Sequence, residues 1–383
     1  MRKGFMLLLG ILMVFPWCVK ASNLNLAENA KSAILIDAST GNIIYETNAH
    51  EKLAPASMTK MMSMLLIMEA IDRGELKWNQ MITASENASS MGGSQILLET
   101  GEKMSVKDLF KGIAVASGND AVVALSEAIA GTEDEFVKRM NQRAKELGLQ
   151  DTNFKNPHGL DTANHYSSAY DMSLIAKELV KHEKVLEFTS IYEDYLREGQ
   201  KNKVWLVNTN KLVRFYDGLD GLKTGYTKEA GYCLTSTAKR GDTRFITVVM
   251  GEPDTKTRNS ETTSMLDYAF SQYESEKIFS KDNSVGTVRV DLGKTETVKL
   301  FPMEDVSVLN KKSENKKNAN YELKANHLSA PIKKGEKVGE LILKVEGEKN
   351  RTIPLTVQNK VAKANLLEVY VHQVKSILAG NLN

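Results

Sequence analysis

The nine residues from Ala54 to Met62 read APASMTKMM, and they place a lysine three positions after a serine where a helix is predicted to begin. Residues i and i+3 of a helix share one face, so the Ser57 hydroxyl and the Lys60 amine can approach hydrogen-bonding distance. In the first turn the Ser57 N–H has no intrahelical partner, and the helix dipole favours negative charge there. The spacing suits a serine nucleophile with a lysine base, although it also fits a helix cap followed by an exposed lysine.

A lysine ordinarily has a pKa of about 10.4, so it is a poor base at neutral pH unless burial or a second cation lowers that pKa. Lys223-Thr224-Gly225, in DGLDGLKTGYT, opens a run of predicted strands and offers that cation. Gly225 would let another backbone approach the strand, as pairing with a bound peptide requires. Ser117-Gly118-Asn119, in AVASGNDAVV, adds a hydroxyl and an amide at a tight bend between helical patterns. Each motif alone also fits an ordinary cap or strand entrance.

Taken together and in this order, S-x-x-K, S-x-N and K-T-G resemble the motifs of the serine penicillin-binding proteins and β-lactamases. Within that group the sequence is similar to the low-molecular-mass D-alanyl-D-alanine carboxypeptidases. The similarity covers nearly the whole mature chain and includes PASMTK, SMGGSQ, ASGNDA, NPHGLD, HYSSAYDM and DGLKTGYT. The stretch WLVNTNKLVRFYDGLDGLKTG resembles members associated with endospore formation.

The resemblance implies an α+β fold of the serine β-lactamase and penicillin-binding-protein type. It has an antiparallel sheet with a helical subdomain, a small all-β domain and a C-terminal amphipathic helix. The implied substrate is a peptidoglycan pentapeptide stem ending in D-Ala-D-Ala, and β-lactams are the implied covalent inhibitors. The implied catalytic residues are Ser57 as nucleophile, Lys60 as general base, Ser117 as proton relay, Asn119, and Lys223, which keeps Lys60 neutral.

The resemblance also implies the groups that bind the substrate. The oxyanion would be met by the backbone N–H groups of Ser57 and Tyr226, the residue after K-T-G. The terminal carboxylate would be met by Thr224, in the Lys223–Gly225 motif, and by Arg258, whose planar fork of donors suits a carboxylate. No metal-ligand spacing is present in the sequence, and no metal or cofactor is predicted.

Hydrophobic patterns predict the domain organisation. Strands are expected at Ser32–Asp37 and Ile43–Glu46, helices from about residue 57 to residue 190, and strands again after Lys223, with a helix over Thr262–Tyr273. The result is a catalytic domain over 22–275, whose site lies at the seam between sheet and helices. Short alternating strands predict a small all-β domain over 276–360.

The two ends of the chain carry segments that predict export and attachment to the membrane. Arg2 and Lys3, an apolar run and Val19-Lys20-Ala21 indicate a signal peptide over 1–21. At the other end, 361–383 carries Leu367, Val371, Val374 and Leu378 on one helix face, which predicts a membrane-surface helix. The expected location is the outer face of the cytoplasmic membrane. The nearly neutral formal charge of +2 argues against a nucleic-acid partner.

Other residues are interpreted as structural. Cys233, the single cysteine left after signal removal, is expected to be a small apolar strand residue. His158 and Asp161 of NPHGLD are expected in a loop near the site, with the histidine hydrogen-bonded rather than acting as a base. Met91–Ser94 is expected on a loop beside the site.

Several other functions share these motifs. A D,D-endopeptidase would use the same residues. A β-lactamase needs a deacylating glutamate, and Glu146-Leu147-Gly148-Leu149-Gln150 nearly matches the E-x-x-L-N loop of class A enzymes. A non-catalytic β-lactam sensor or wall-binding module is the alternative outside the enzymes. However, a sensor usually has additional membrane spans, and an inactive relative should lack at least one of Ser57, Lys60 and Lys223.

Overall fold

The computed structural model describes residues 24–325, 328–366, 368 and 370. The predicted signal peptide lies outside these residues, and so does most of the predicted terminal helix.

In the first part of the chain the strands are β1 (Ser32–Asp37), β2 (Ile43–Thr47), β3 (Met81–Thr83), β4 (Lys103–Ser105), β5 (Glu193–Leu196), β6 (Val204–Val207), β7 (Leu219–Thr227), β8 (Gly231–Arg240) and β9 (Thr243–Glu252). The helices are α1 (Lys60–Asp72), which follows a 3-10 turn over Ala56–Thr59, α2 (Glu86–Ser89), α3 (Val106–Ala116), α4 (Asn119–Ala130), α5 (Glu133–Glu146), α6 (Ala169–Leu179), α7 (Lys184–Thr189), α8 (Leu212–Phe215) and α9 (Thr255–Gln272).

A five-stranded antiparallel sheet with the order β2-β1-β9-β8-β7 forms the centre of this part. Strands from both ends of the region meet in it, because β1 pairs with β9 in continuous register from Ser32↔Met250 to Asp37↔Phe245. The prediction of one sheet built from both ends is confirmed. Strand β7, which carries the K-T-G motif, lies at one edge of the sheet.

Both faces of the sheet are covered, which explains why β1 is apolar at almost every position. Ile34 and Ile36 belong to the core shared with the helical subdomain, while Ala33 and Leu35 belong to the core under α9. Successive strand residues point to opposite faces, so a strand buried on both sides has no polar alternation. Helix α1 is buried almost all round and lies between the sheet and the other helices.

Three local predictions were incomplete. The region 57–190 is not wholly helical, since β3 and β4 pair within it, and β5 and β6 form a further ladder beyond it. Strand β7 begins at Leu219, four residues before Lys223. Helix α9 starts at Thr255 rather than at Thr262, because the Asp254 carboxylate caps it by accepting from the Lys256 and Thr257 N–H groups at 2.8 Å.

The second part of the chain is all β among the described residues up to 364. Its strands are β10 (Tyr273–Phe279), β11 (Gly286–Asp291), β12 (Thr297–Pro302), β13 (Val306–Lys311), β14 (Ala319–Lys324), β15 (Leu328–Ser329), β16 (Lys337–Val345) and β17 (Arg351–Thr356). A six-stranded sheet has the order β14-β16-β17-β12-β11-β15, and β10 pairs with β13. Its core is separate from the two cores of the first part. Strand β10 runs across the predicted domain boundary at 275/276.

The end of the described chain differs from the prediction of a helix from residue 361. Val361 is paired with Ile332, and the Ala364 N–H donates to Leu292 O, so these residues extend the β domain. The helix starts after Asn365, whose side chain accepts from the Glu368 N–H at 2.9 Å. The Glu368 carboxylate accepts from the Asn365 N–H at 2.8 Å in return, which is a capping box. Among the described residues, no helix is long and apolar enough to cross a bilayer.

Candidate active site

The serine of APASMTKMM lies in the 3-10 turn that leads into α1. Ala56, immediately before it, has φ +46°, a left-handed conformation that non-glycine residues rarely adopt. Such strain persists only where the surroundings impose it, and it is frequent at reactive residues. The turn aims Ser57 at the amine of Lys60, three residues later.

The Lys60 side chain is fully buried, and its Nζ has three neighbours. Asn119 Oδ1 and the His158 carbonyl oxygen each lie 2.6 Å away, and Ser57 Oγ lies 3.0 Å away. The first two are pure acceptors, so a neutral amine gives them both of its hydrogens. Its lone pair is then left for the Ser57 hydroxyl proton, which is the arrangement that a general base requires.

Two causes hold the pKa of Lys60 well below its usual value. Burial is the larger, and the positive charge of Lys223 adds to it, while the Asp120 carboxylate acts in the opposite direction. Desolvation always disfavours the charged form of an amine. The geometry and the direction of the pKa shift both favour the neutral form of Lys60.

The S-G-N motif joins α3 to α4 in the predicted break between helices. Ser117 ends α3 with φ +63°, and its buried hydroxyl has no hydrogen-bond partner among the described residues. Asn119 begins α4 and uses both ends of its amide. Oδ1 accepts from Lys60, and Nδ2 donates to the Gly92 carbonyl at 2.6 Å. The Met91–Ser94 run therefore lies beside the site.

Asp120 was missed as a site residue. Its buried carboxylate accepts from the Ile96 and Leu98 N–H groups at 3.0 Å and thereby fixes the loop beside Asn119. The sequence gives only a weak signal for it, which is an acidic residue directly after S-G-N at a helix start.

The K-T-G motif lies on edge strand β7. The Lys223 side chain is buried, and its Nζ donates to the Thr224 carbonyl at 3.1 Å. Burial, assisted by the positive charge of Arg258, lowers the pKa of Lys223 to about 7. The Thr224 hydroxyl donates to Thr209 Oγ1 at 2.7 Å, which makes Thr209 a second residue that the sequence did not identify.

The structure gives Gly225 a role different from the one expected. A Cβ at this position would lie 2.8 Å from the Pro55 carbonyl oxygen and 3.3 Å from the Met58 N. The backbone that comes close is thus the turn that carries Ser57, not only a bound peptide. Gly225 sets the distance between Ser57 and the β7 edge.

Tyr226 lies on the edge strand β7, and Arg258 lies on α9. The Tyr226 ring is 54% exposed and packs on Tyr232, its cross-strand neighbour, with centroids 4.3 Å apart. Arg258 is only 5% exposed, so it is not a surface arginine. It lies in the first turns of α9, and its Nε and Nη2 donate to Asn259 Oδ1 at 3.1 and 2.8 Å.

The NPHGLD loop packs against the 3-10 turn and helix α1 that carry Ser57 and Lys60. Pro157 O accepts from the Ser63 hydroxyl at 2.7 Å, and the His158 carbonyl accepts from Lys60. Gly159 has φ +88°, and a Cβ there would lie 1.9 Å from the Ala56 carbonyl oxygen. Only glycine combines that φ with so close an approach. The His158 ring bonds to the Leu160 N–H and faces Glu133, as expected of a loop residue.

Two other predicted features can be placed. Cys233 is fully buried in β8, and burial raises the pKa of its thiol to about 11, so it is an inert strand residue. Glu146 ends α5 and pairs with Arg143 at 3.5 Å, outside the contacts of Lys60. In the part of the chain that the structure describes, no group of three or more His, Cys, Asp or Glu side chains could hold a metal ion.

Comparison with known proteins agrees with this site. Residues 19–254 match the peptidase S11 family, described as D-alanyl-D-alanine carboxypeptidase, and residues 273–363 match the C-terminal domain of penicillin-binding protein 5. The chain is 53% identical over 343 residues to the D-alanyl-D-alanine carboxypeptidase DacF of Bacillus subtilis. The match covers 89% of this chain and 88% of that protein.

Solved structures of penicillin-binding proteins are also similar to this chain. Penicillin-binding protein 5 from Haemophilus influenzae aligns with a TM-score of 0.68 at 33% identity, over 88% of this chain and 98% of that one. Penicillin-binding protein D2 from Listeria monocytogenes in its ampicillin-bound form aligns with a TM-score of 0.58 at 32% identity, over 64% of this chain and all of that one. The chain therefore belongs to the D-alanyl-D-alanine carboxypeptidase family of low-molecular-mass penicillin-binding proteins.

Proposed function

We propose that the protein is a serine-type D-Ala-D-Ala carboxypeptidase that removes the terminal D-alanine from peptidoglycan pentapeptide stems. The observation that carries the proposal is the environment of Lys60. Two acceptors take its hydrogens and leave its lone pair for Ser57, 3.0 Å away. Family membership supplies the substrate class.

In the first half-reaction Ser57 Oγ attacks the carbonyl carbon between the two D-alanines, and its proton passes to Lys60. The oxyanion is met by the N–H groups of Ser57 and Tyr226, which stabilise charge that develops only in the transition state. Ser117, whose hydroxyl has no protein partner among the described residues, relays this proton from Lys60 to the leaving nitrogen, so that Lys60 is neutral again. The C–N bond breaks, and D-alanine leaves an ester on Ser57.

In the second half-reaction water attacks that ester and gives its proton to Lys60, which returns one to Ser57. Thr224 and Arg258 bind the substrate carboxylate, and Lys223 keeps Lys60 uncharged and borders the cleft. Gly225 lets the nucleophile turn lie close to β7, and Asn119 orients Lys60. A β-lactam acylates Ser57 in the same way, and because its leaving group stays tethered, it acts as a covalent inhibitor.

The proposal includes export and attachment to the membrane. Residues 1–21 serve as the signal peptide, 22–275 as the catalytic domain and 276–360 as the β domain. A terminal amphipathic helix binds the outer face of the cytoplasmic membrane. Because residues up to Ala364 pair within the β domain, the test of the anchor is a truncation after Ala364. The truncated protein is expected to keep its activity and to leave the membrane fraction, and membrane retention would argue against the anchor.

The reaction is tested with Ser57→Ala beside Ser264→Ala, a control on the exposed side of α9. Both are incubated with pentapeptide muropeptides, and the products are followed by mass spectrometry. Loss of one alanine by the control alone supports the proposal, whereas cleaved cross-links would indicate the endopeptidase alternative. Rapid turnover of penicillin would indicate the β-lactamase, although Glu146 lies outside the Lys60 contacts. Alanine release by Ser57→Ala would exclude Ser57 as the nucleophile.

A further inference from the structure

The two-stranded ribbon of β5 and β6 carries exposed aromatic side chains that the mechanism above does not use. Six phenylalanine, tyrosine and tryptophan side chains of the described residues are exposed, and four of them lie between residues 195 and 226. Trp205 of β6 is 58% exposed, and Tyr195 of β5 is 38% exposed. Because large apolar surfaces are stabilised by leaving water, a local concentration of exposed rings indicates an interaction surface.

Tyr195 and Trp205 lie on the same face of the ribbon. They are direct cross-strand partners in the antiparallel ladder, which places both side chains on one side. Lys203 reaches this side too, since its Nζ lies 3.7 Å from the centroid of the Tyr195 ring. That ammonium has no hydrogen-bond or ion-pair partner in the described part of the chain. We call Tyr195, Lys203 and Trp205 the aromatic face.

The opposite side of the ribbon is attached to the rest of the first part of the chain. Leu196 and Leu206 are buried in the core that the central sheet shares with the helices. Lys111 Nζ of α3 donates to Asp194 Oδ2 at 2.8 Å and to the Tyr195 carbonyl at 2.9 Å. The aromatic face is therefore held in one orientation, so a ligand that binds to it orders little of the protein.

Two contacts place the ribbon close to the catalytic residues. Thr209, four residues after Trp205, accepts from the Thr224 hydroxyl of the K-T-G motif at 2.7 Å, and four extended residues span at most about 14 Å. Lys111, which anchors β5, lies six residues before Ser117, or about 9 Å along α3. Both routes put the ribbon within about 15 Å of the cleft.

The substrate has the same length scale and a part that suits aromatic rings. Four residues separate the scissile bond from the amino sugar that carries the stem, and in extended form they span about 14 Å. A sugar ring presents C–H groups on its faces and oxygens at its rim. The C–H groups pack on the negative face of an aromatic ring, and the oxygens accept from an ammonium. The aromatic face offers both kinds of group.

We propose that the aromatic face binds the β-1,4-linked N-acetylhexosamine strand of peptidoglycan beside the cleft. Trp205 stacks on a sugar ring. Tyr195 holds the Lys203 ammonium over its own ring, from where Lys203 donates to sugar hydroxyl or N-acetyl oxygens. The inference rests on the proposed function, which supplies the stem that reaches Ser57. A stem on a bound strand meets Ser57 at a raised effective concentration.

The test uses two substrates that share the scissile bond and differ in the glycan. One is a soluble glycan chain with uncross-linked pentapeptide stems, and the other is an N-acylated tripeptide ending in D-Ala-D-Ala. Trp205→Ala should lower kcat/KM for D-alanine release about three- to tenfold on the glycan chain and leave it nearly unchanged on the tripeptide. An unchanged kcat/KM on the glycan chain would overturn the inference, and so would an equal fall on both substrates.

Two further variants separate sugar contacts from other effects. Trp205→Phe keeps an aromatic ring and should retain more of the preference for the glycan chain than Trp205→Ala does. Tyr321→Ala removes an aromatic side chain that is 51% exposed on β14, outside the ribbon, and should keep the whole preference. A loss in Tyr321→Ala as large as that in Trp205→Ala would contradict a specific aromatic face. Release of D-alanine from the tripeptide by the wild type tests the proposed function separately.

Fluorescence measures sugar binding without any peptide. Trp17 lies in the proposed signal peptide, and Trp78 packs against Phe110 and Phe188, so Trp205 is the tryptophan that meets an added sugar. A tetramer of N-acetylglucosamine should shift the emission of the wild type to shorter wavelength, with a Kd in the millimolar range or below. Trp205→Phe should show no shift. An unshifted wild type at about 10 mM tetramer would contradict the proposal, whatever the enzyme does to D-Ala-D-Ala.

Discussion

The first part of the chain and the β domain bury different kinds of side chain. In the first part Lys60, Lys223 and Asp120 are at most 1% exposed, and Arg258 is 5% exposed. The core of the β domain consists of aliphatic residues such as Leu341 and Leu355. No lysine, arginine or acid of the described β-domain residues is buried to that degree.

This difference shows that the energetically unfavourable burial of ionisable side chains is concentrated in the first part of the chain. A buried ammonium without an ion pair destabilises a fold, because its hydration is lost. The first part buries Lys60 and Lys223 without an ion pair among the described residues, and burial lowers the pKa of both amines. No lysine of the described β-domain residues is buried in this way. Substitutions of the same chemical type should therefore have unequal effects in the two regions.

The largest difference is expected for lysine. Lys60→Met should lower kcat/KM for D-alanine release by about 10⁴-fold, since the nucleophile loses its base. Lys344→Met in the β domain removes an exposed lysine paired with Glu322 at 3.0 Å and should change kcat/KM by less than about twofold. Steady-state kinetics with the tripeptide measures both. Activity within tenfold of the wild type in Lys60→Met would mean that another group takes the proton.

A pair of glycines sharpens the comparison. Gly159 and Gly335 have φ +88° and φ +81°, but a Cβ would meet the Ala56 carbonyl at Gly159 and nothing within 4 Å at Gly335. Gly159→Ala should lower kcat about 10²-fold, because it displaces the nucleophile turn. Gly335→Ala should cost only about 1 kcal/mol of stability from the left-handed conformation and leave kcat unchanged. Similar kinetics for the two variants would show that the NPHGLD loop does not position Ser57.

The pH profile tests the coupling between the two buried lysines. Lys60 must be neutral, so activity falls as pH drops through its pKa, and the positive charge of Lys223 helps to keep that pKa low. Lys223→Met should move the acid limb of kcat/KM to higher pH and lower activity at neutral pH by about 10- to 10²-fold. Because Lys223 has a pKa of about 7, its charge acts mainly below neutrality. An acid limb that stays in place would argue against the coupling.

The smallest effect on catalysis is expected from the β-domain core. Leu341→Ala removes a fully buried side chain and should destabilise its domain by about 2–5 kcal/mol. The loss should appear in urea unfolding, while D-alanine release at 25 °C stays within about twofold of the wild type. Leu65→Ala in α1, equally buried, should reduce both stability and activity. A parallel loss of activity in Leu341→Ala would show that the β domain supports the site.

Local sequence signals predicted much of the fold and the site. Alternation and apolar runs predicted the strands of the central sheet and half of the β-domain strands, namely β11, β12, β16 and β17, and the break before Gly118 separated α3 from α4. Short ladders such as β3–β4 were missed because three residues carry too little periodicity. The start of α9 was missed because its first turn is polar and its cap, Asp254, was not recognised.

The sequence by itself identified the reactive groups of the site, which are a serine and a lysine one turn apart and the S-G-N and K-T-G motifs. It also identified the family that these motifs resemble. These are local patterns, which the covalent chain fixes directly. Only the tertiary structure decided the protonation and contacts of those groups, because burial and neighbouring charge come from residues far apart in sequence. The His158 carbonyl at Lys60 and Gly225 against the Ser57 turn both depend on such packing.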